Sequence, residues 1–319
     1  MKINLKKYIK LLGNIVTIVA IIFVFKKLFS NDLDYALLFN TKNILIVIAI
    51  IIVQTLVISL KCFNWWQIVR ILSGKLISFK ESMQVYTKSN ILKYIPGNVF
   101  QYVGRNELAL RNDIKHVDVA FSTVLDVLIE ASGTLILPMI FLFSQIITIF
   151  NLYRKTLLLL VGVGIVVMLI IVLVAYVKFK GKLLALLQRY MDVINLKNSL
   201  KIVGCFLYAA AMSIAISLLY MFILIFVLGQ IVDAQMFFYI MGAYSISWLI
   251  GFLIPGAPAG MGIKEAVMLT IVSGMLSADI IALSLVTFRV LSIVSDVLAF
   301  AFGQLGGRIG KKKEVTIKN

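Results

Sequence analysis

Two short segments hold the residues best suited to chemistry. Tyr94-Ile95-Pro96-Gly97 is followed, after seven residues, by Arg105-Asn106-Glu107, and Leu253-Ile254-Pro255-Gly256 is followed, after seven, by Lys264-Glu265. The two Ile-Pro-Gly triplets lie 159 positions apart in a chain of 319, and three of its four prolines (Pro96, Pro255, Pro258) fall in these segments. Proline has no N–H to donate, and glycine lets the backbone leave helical geometry. Inside a bilayer such breaks survive only where protein or a water-filled cavity satisfies the freed polar groups. Gly260 and Gly262 leave room for close backbone approach, and a helix restarting near Lys264 would aim free amides back at the gap. Amides beside a cation bind anions. Arg105 can likewise grip a phosphate with two parallel hydrogen bonds. A helix-breaking pair followed by a cation, once per half, is the pattern expected of substrate sites in membrane transporters.

Further charges lie in apolar surroundings. Asp126 and Glu130 are four apart and share a helix face, as do Arg289 and Asp296, seven apart. Facing lipid they would be costly, so they should face the interior of a bundle. Glu130 lies 33 residues after Gly97 and Arg289 lies 33 after Gly256, which makes them equivalent positions of opposite sign. A pairing across the interface of the halves is expected. It is either structural or part of a substrate or proton path. Ala209, Ser213 and Ser217, at every fourth position, suit close helix packing and carry no chemistry.

Composition sets the class of the elements. Hydrophobic residues make up 61% and charged residues 14%, and the mean hydropathy is +1.04. Soluble domains run about 45–50% apolar and about 25% charged. Uncharged runs such as Leu157–Val177, Ile202–Val232 and Ala234–Ile263 suffice to cross roughly 30 Å of hydrocarbon, which takes about 20 residues. The expected fold is all-α: a polytopic helical membrane protein of about eight spans, in two pseudo-repeats (about 1–177 and 202–305), each with a Pro-Gly broken or re-entrant segment. Residues 178–201 read as an interfacial amphipathic linker. A β-barrel would show short alternating segments instead.

The spans expected are about Tyr8–Phe29, Asn43–Leu60, Val119–Phe150, Leu157–Val177, Ile202–Leu228, Met236–Leu253 and Ile280–Phe302, with Ala266–Leu276 part of a short broken span. Trp65 and Trp66 are placed at an interface. The first span is read as retained, since no small-residue cleavage site follows it. The net charge of +17 sits mostly at the ends of apolar runs, so it reads as a topology signal with affinity for anionic lipid heads, and not as nucleic-acid binding. Basic clusters at the N-terminus, 61–115, 178–201 and the C-terminus place both termini in the cytoplasm of a multi-pass cell-membrane protein. Cys62 and Cys205 are isolated and His116 is the lone histidine, which excludes a triad or a multi-histidine metal site. No cofactor is expected.

At its two motifs the chain resembles the flippase-like membrane domain of the lysylphosphatidylglycerol synthases. Lys93 through Arg105 is similar to that family's Pro-Gly followed by an arginine. Pro255 through Gly262-Ile263-Lys264-Glu265-Ala266 is similar to its Pro-x-x-Gly-x-Gly-x-Arg-Glu pattern. Lys264 stands where arginine is usual, and the first motif is poor in glycine. The resemblance covers essentially the whole chain and implies the lipid-translocating half without the soluble aminoacyl-transfer half.

The function expected first is a translocase moving an anionic-headed, aminoacyl or glycosyl lipid between leaflets. Its site would comprise Tyr94, Pro96, Gly97, Arg105, Glu107, Asp126, Glu130, Pro255, Gly256, Gly260, Gly262, Lys264, Glu265 and Arg289. No phosphate-binding GxxxxGK[ST] loop is present, so a gradient or mass action would drive it. Two alternatives stand: a lysyltransferase-type enzyme component acting on lipid heads, and a non-catalytic partner in an envelope-polymer assembly complex. The partners are then lipids with anionic head groups, with envelope-biosynthesis proteins and a second copy of the chain left open.

Overall fold

The computed structural model describes residues 41–94, 100–109, 114–152, 188, 190, 195–253, 260 and 262–308. Eleven α-helices run through these residues: α1 Thr41–Leu60, α2 Cys62–Ser73, α3 Phe79–Asn90, α4 Phe100–Ala109, α5 His116–Thr134, α6 Ile136–Phe141, α7 Phe143–Leu152, α8 Leu196–Phe222, α9 Ala234–Leu253, α10 Ile263–Val272 and α11 Ala278–Arg308. A 3₁₀ turn, Ile91–Tyr94, extends α3, and a π turn, Ile223–Val227, extends α8. The expected spans at 8–29 and 157–177, and most of the 178–201 linker, lie outside the described residues; residues 196–201 of that linker belong to α8.

Among the described residues five stretches are long and apolar enough to cross a membrane: Asn43–Ser73, His116–Phe141, Leu196–Val227, Ala234–Phe252 and Ala278–Leu305. Their faces divide by surroundings. On α1, Leu45, Ile52 and Leu56 are exposed, while Ile50, Gln54 and Val57 are buried. An exposed aliphatic row beside a buried glutamine is the reverse of a water-soluble helix and suits a lipid solvent. The hydroxyls of Thr55 and Ser59 donate to the carbonyls of Ile51 and Thr55, one turn back, so they add no orphan donors.

The second span departs from its expected end at Leu60. The Lys61 N–H bonds the Val57 carbonyl at 3.0 Å, and α1 and α2 run on as one 31-residue rod from Asn43 to Ser73. The rod stops at Gly74, whose φ of 67° closes a left-handed cap onto Arg70. Trp65 is therefore not an interfacial anchor. It is fully buried, packed with Cys62 and Val69 in a core beneath α3 and α4. Its ring also lies within reach of a guanidinium that needs cover, described below. Ser78 and Glu81 form a capping box that starts α3.

The helices pack as a bundle. α5 lies on α2 and α8, α9 on α8 and α10, and α11 on α1 and α3. The α5–α8 crossing is close: a Cβ added at Gly133 would sit 2.8 Å from the Ala210 backbone nitrogen. Ala209, expected as a packing residue, lies in this contact, and Ser217 bonds Ser245 of α9 at 2.9 Å. The largest core gathers the ends of α8, α9, α10 and α11, with Tyr220, Ile240, Met268 and Ile281 at its centre.

Candidate functional site

The helices converge on a cavity of about 180 Å³ lined from α1, α3, α4, α5, α8, α9, α10 and α11. A water needs about 10–15 Å³ by this measure, so a group of many atoms fits. Among the described residues five cations line it (Lys61, Lys93, Arg105, Lys264, Arg289), with three acids (Asp126, Glu130, Asp296). So many charges within apolar helices are costly without partners, and the geometry supplies them pair by pair.

Arg105, on α4, is 3% exposed and donates to Asp126 Oδ2 of α5 at 2.9 Å. Three aromatic rings cover its guanidinium, with centres 4.3 Å (Tyr86), 5.5 Å (Trp65) and 5.8 Å (Tyr102) away. Flat guanidinium on aromatic faces is favourable, and more so out of water. Among the described residues its Nε has no hydrogen-bond partner. Lys61, at the join of α1 and α2, pairs with Glu130 of α5. Lys93, on the 3₁₀ turn, pairs with Asp296 of α11 at 2.7 Å. Asp296 also accepts from Asn90 at 2.7 Å and from the Tyr94 hydroxyl, so one carboxylate ties α3 and its turn to α11. Arg289, on α11, meets Glu265 of α10 at 2.6 Å.

The pairing expected between Glu130 and Arg289 is therefore not made. Each finds a nearer partner of opposite charge, Lys61 for Glu130 and Glu265 for Arg289. The free amides expected at the second motif are also altered. The Gly262 N–H donates to Glu265 Oε2 at 2.8 Å, so the start of α10 is capped by its own carboxylate.

Of the residues picked from sequence, the structure brings Tyr94, Arg105, Asp126, Glu130, Lys264 and Arg289 to the cavity wall. Glu265 stands behind Arg289. Gly260 and Gly262 have φ of 72° and 81°, a region that suits glycine. Gly260 lies against α9, where an added Cβ would be 2.7 Å from the Gly251 carbonyl oxygen. Glu107 is exposed and does not line the cavity, since two residues along a helix from Arg105 is nearly the opposite face. Pro96, Gly97, Pro255 and Gly256 lie outside the described residues.

Lys61, Lys93, Asp296, Gln54 and Trp248 also line the cavity, and the two motifs do not mark them as site residues. In sequence Lys61 and Lys93 read as topology charges. The signal that separates Lys61 is the apolar character that resumes after it in Cys62-Phe63-Asn64-Trp65-Trp66. Among the described residues no group of His, Cys, Asp and Glu is placed to hold a metal. Cys62 and Cys205 are both free and buried.

Fold and site together define a multi-pass helical membrane protein with an ion-paired cavity inside its bundle. Residues 10–299 match the family described as the lysylphosphatidylglycerol synthase TM region, and the chain belongs to that family. Neither the curated proteins nor the solved structures contain a match to it.

Proposed function

We propose that the protein is a lipid translocase. An anionic, aminoacyl or glycosyl head group crosses through the cavity while the acyl or prenyl chains stay in the bilayer. The observation that carries this reading is the cavity itself: five cations and three acids among the described residues, most of them ion-paired, around a space of about 180 Å³ lined by five membrane-length helices and three shorter ones. Charges at such depth are characteristic of substrate and ion paths. Membership of a membrane family concerned with a lipid supports it. We place the protein in the cell membrane with both termini cytoplasmic. We also read two repeats in it, because a long rod, a helix running to a Pro-Gly, a ten-residue helix and another long helix recur in that order (α1–α2, α3, α4, α5; then α8, α9, α10, α11).

The test is leaflet exchange in reconstituted liposomes. Labelled phosphatidylglycerol should equilibrate between leaflets faster than in protein-free vesicles. Folded Arg105→Ala protein should fall to the protein-free rate. Exchange equally slow with and without the unaltered protein, across anionic, aminoacyl and glycosyl lipids, would leave the role of a non-catalytic partner in an assembly complex.

A further inference from the structure

We propose that the cavity accepts a head group of one net negative charge, a phosphodiester monoanion, and that Lys264 is the cation that takes it. This rests on the translocase reading and narrows its substrate class.

Asp126, Glu130, Asp296 and Glu265 each lie within ion-pair distance of one cation: Arg105, Lys61, Lys93 and Arg289, in that order. Lys264 is the cation left over. It lines the cavity and has no ion pair or hydrogen bond among the described residues. The acid next to it in sequence is Glu265. That acid is already committed to Arg289 and to the Gly262 N–H. A half-buried ammonium with no carboxylate of its own is costly inside a bundle of apolar helices. An arriving anion removes that cost.

The route of the side chain is also built. A Cβ added at Gly251 would lie 2.6 Å from Lys264 Cγ and 3.2 Å from its Cε. The lysine stem therefore crosses α9 where α9 has no side chain, and its ammonium reaches the cavity over the Trp248 ring, 5.9 Å from the centre. The Lys61 ammonium is 5.3 Å from the same ring centre. Trp248 thus holds two ammonium groups near one neutral platform, where Lys264 is the one without an acid partner.

One negative charge completes the pairing of five cations. A phosphate monoester, approaching two charges near pH 7, overshoots. An aminoacyl phosphodiester carries its own cation, and every carboxylate that could meet it is already held. A glycerol phosphodiester and a polyprenyl-phosphate-linked sugar share the favoured chemistry.

The experiment measures binding to the purified full chain in detergent, by competition against fluorescent phosphatidylglycerol. The competitors are phosphatidylglycerol, a polyprenyl phosphohexose, a polyprenyl monophosphate and lysyl-phosphatidylglycerol. At least one phosphodiester monoanion should bind roughly tenfold tighter or more than the monophosphate and the lysyl lipid, and the tighter of the two names the source. Lys264→Gln should lose the preference, and Lys264→Arg should keep it. Because it removes an unpaired charge, Lys264→Gln should unfold at no lower temperature than the unaltered protein without lipid. Lysyl-phosphatidylglycerol or the monophosphate binding as tightly overturns the inference, as does a preference that survives folded Lys264→Gln. Leaflet exchange of the same lipids separates the two readings. Selective binding with no exchange removes the translocase and keeps the charge assignment, whereas fastest exchange of the lysyl lipid does the reverse.

Discussion

The guanidinium of Arg105 on the short helix α4 meets the carboxylate of Asp126 on the long helix α5 at 2.9 Å. The second half of the chain makes the same join with the signs exchanged: Glu265 on the short helix α10 meets Arg289 on the long helix α11 at 2.6 Å. Each helix that follows a Pro-Gly is thereby pinned to the next one. The first pair is the drier, with side chains 4% and 6% exposed against 17% and 20% for the second. The two joins should therefore respond differently to loss of one partner.

Asp126→Ala leaves Arg105 charged and uncompensated beneath three aromatic rings. Breaking one side of a buried pair costs about 3–5 kcal/mol. The unfolding temperature in detergent, read by tryptophan fluorescence, should drop sharply. Replacing both partners with leucine should recover most of the loss, since the interior then holds no unpaired charge. A double variant as unstable as the single one would contradict the pairing.

Gly251→Ala puts a methyl group into the Lys264 stem. Overpacking of this kind costs about 1–3 kcal/mol, and the displaced ammonium should weaken lipid exchange as well. Lys264→Ala removes the obstructing carbons. In the Gly251→Ala background it should restore stability, giving a coupling of about 0.5–3 kcal/mol in a double-mutant cycle. Simple additivity would mean that the stem does not cross that glycine.

Much of this was legible in the chain. Helical class, the lipid-facing runs and six cavity residues (Tyr94, Arg105, Asp126, Glu130, Lys264, Arg289) follow from hydropathy, from charges inside apolar runs and from the spacing of two motifs. The partners were not legible, because an ion pair is decided by which helices touch. The 33-residue equivalence of Glu130 and Arg289 said nothing of Lys61 or Glu265. Lys61 and Lys93 misled for a related reason. A lysine beside an apolar run reads as a boundary, and only the continuation of the helix to Ser73 shows that Lys61 lies within a rod. Trp65 followed it into the interior.

Glu107 and Glu130 test how far that reading reaches. Both were chosen from sequence, yet Glu107 is exposed and Glu130 lines the cavity as the partner of Lys61. Glu107→Gln should leave both unfolding temperature and lipid exchange unchanged, as surface substitutions usually do. Glu130→Gln keeps the shape but frees the Lys61 ammonium, and should slow exchange at least severalfold. Equal effects of the two substitutions would place the path on the outer face of α4.

Lys61 makes the last distinction. As a topology signal it would help hold its end of the span on the cytoplasmic side, and its removal would mix or invert the orientation. As a cavity residue it has an acid partner and the Trp248 ring beneath it, and it contributes nothing to the count of loop charges. Lys61→Gln should therefore leave a C-terminal reporter on the same side of the membrane in intact cells, while lipid exchange by the purified variant falls. The basic tail, with Lys311, Lys312 and Lys313, should behave in the opposite way. Its neutralisation should disturb orientation and spare exchange in whatever fraction inserts correctly. A reporter that moves on Lys61→Gln would return that lysine to the membrane surface and remove one wall of the cavity.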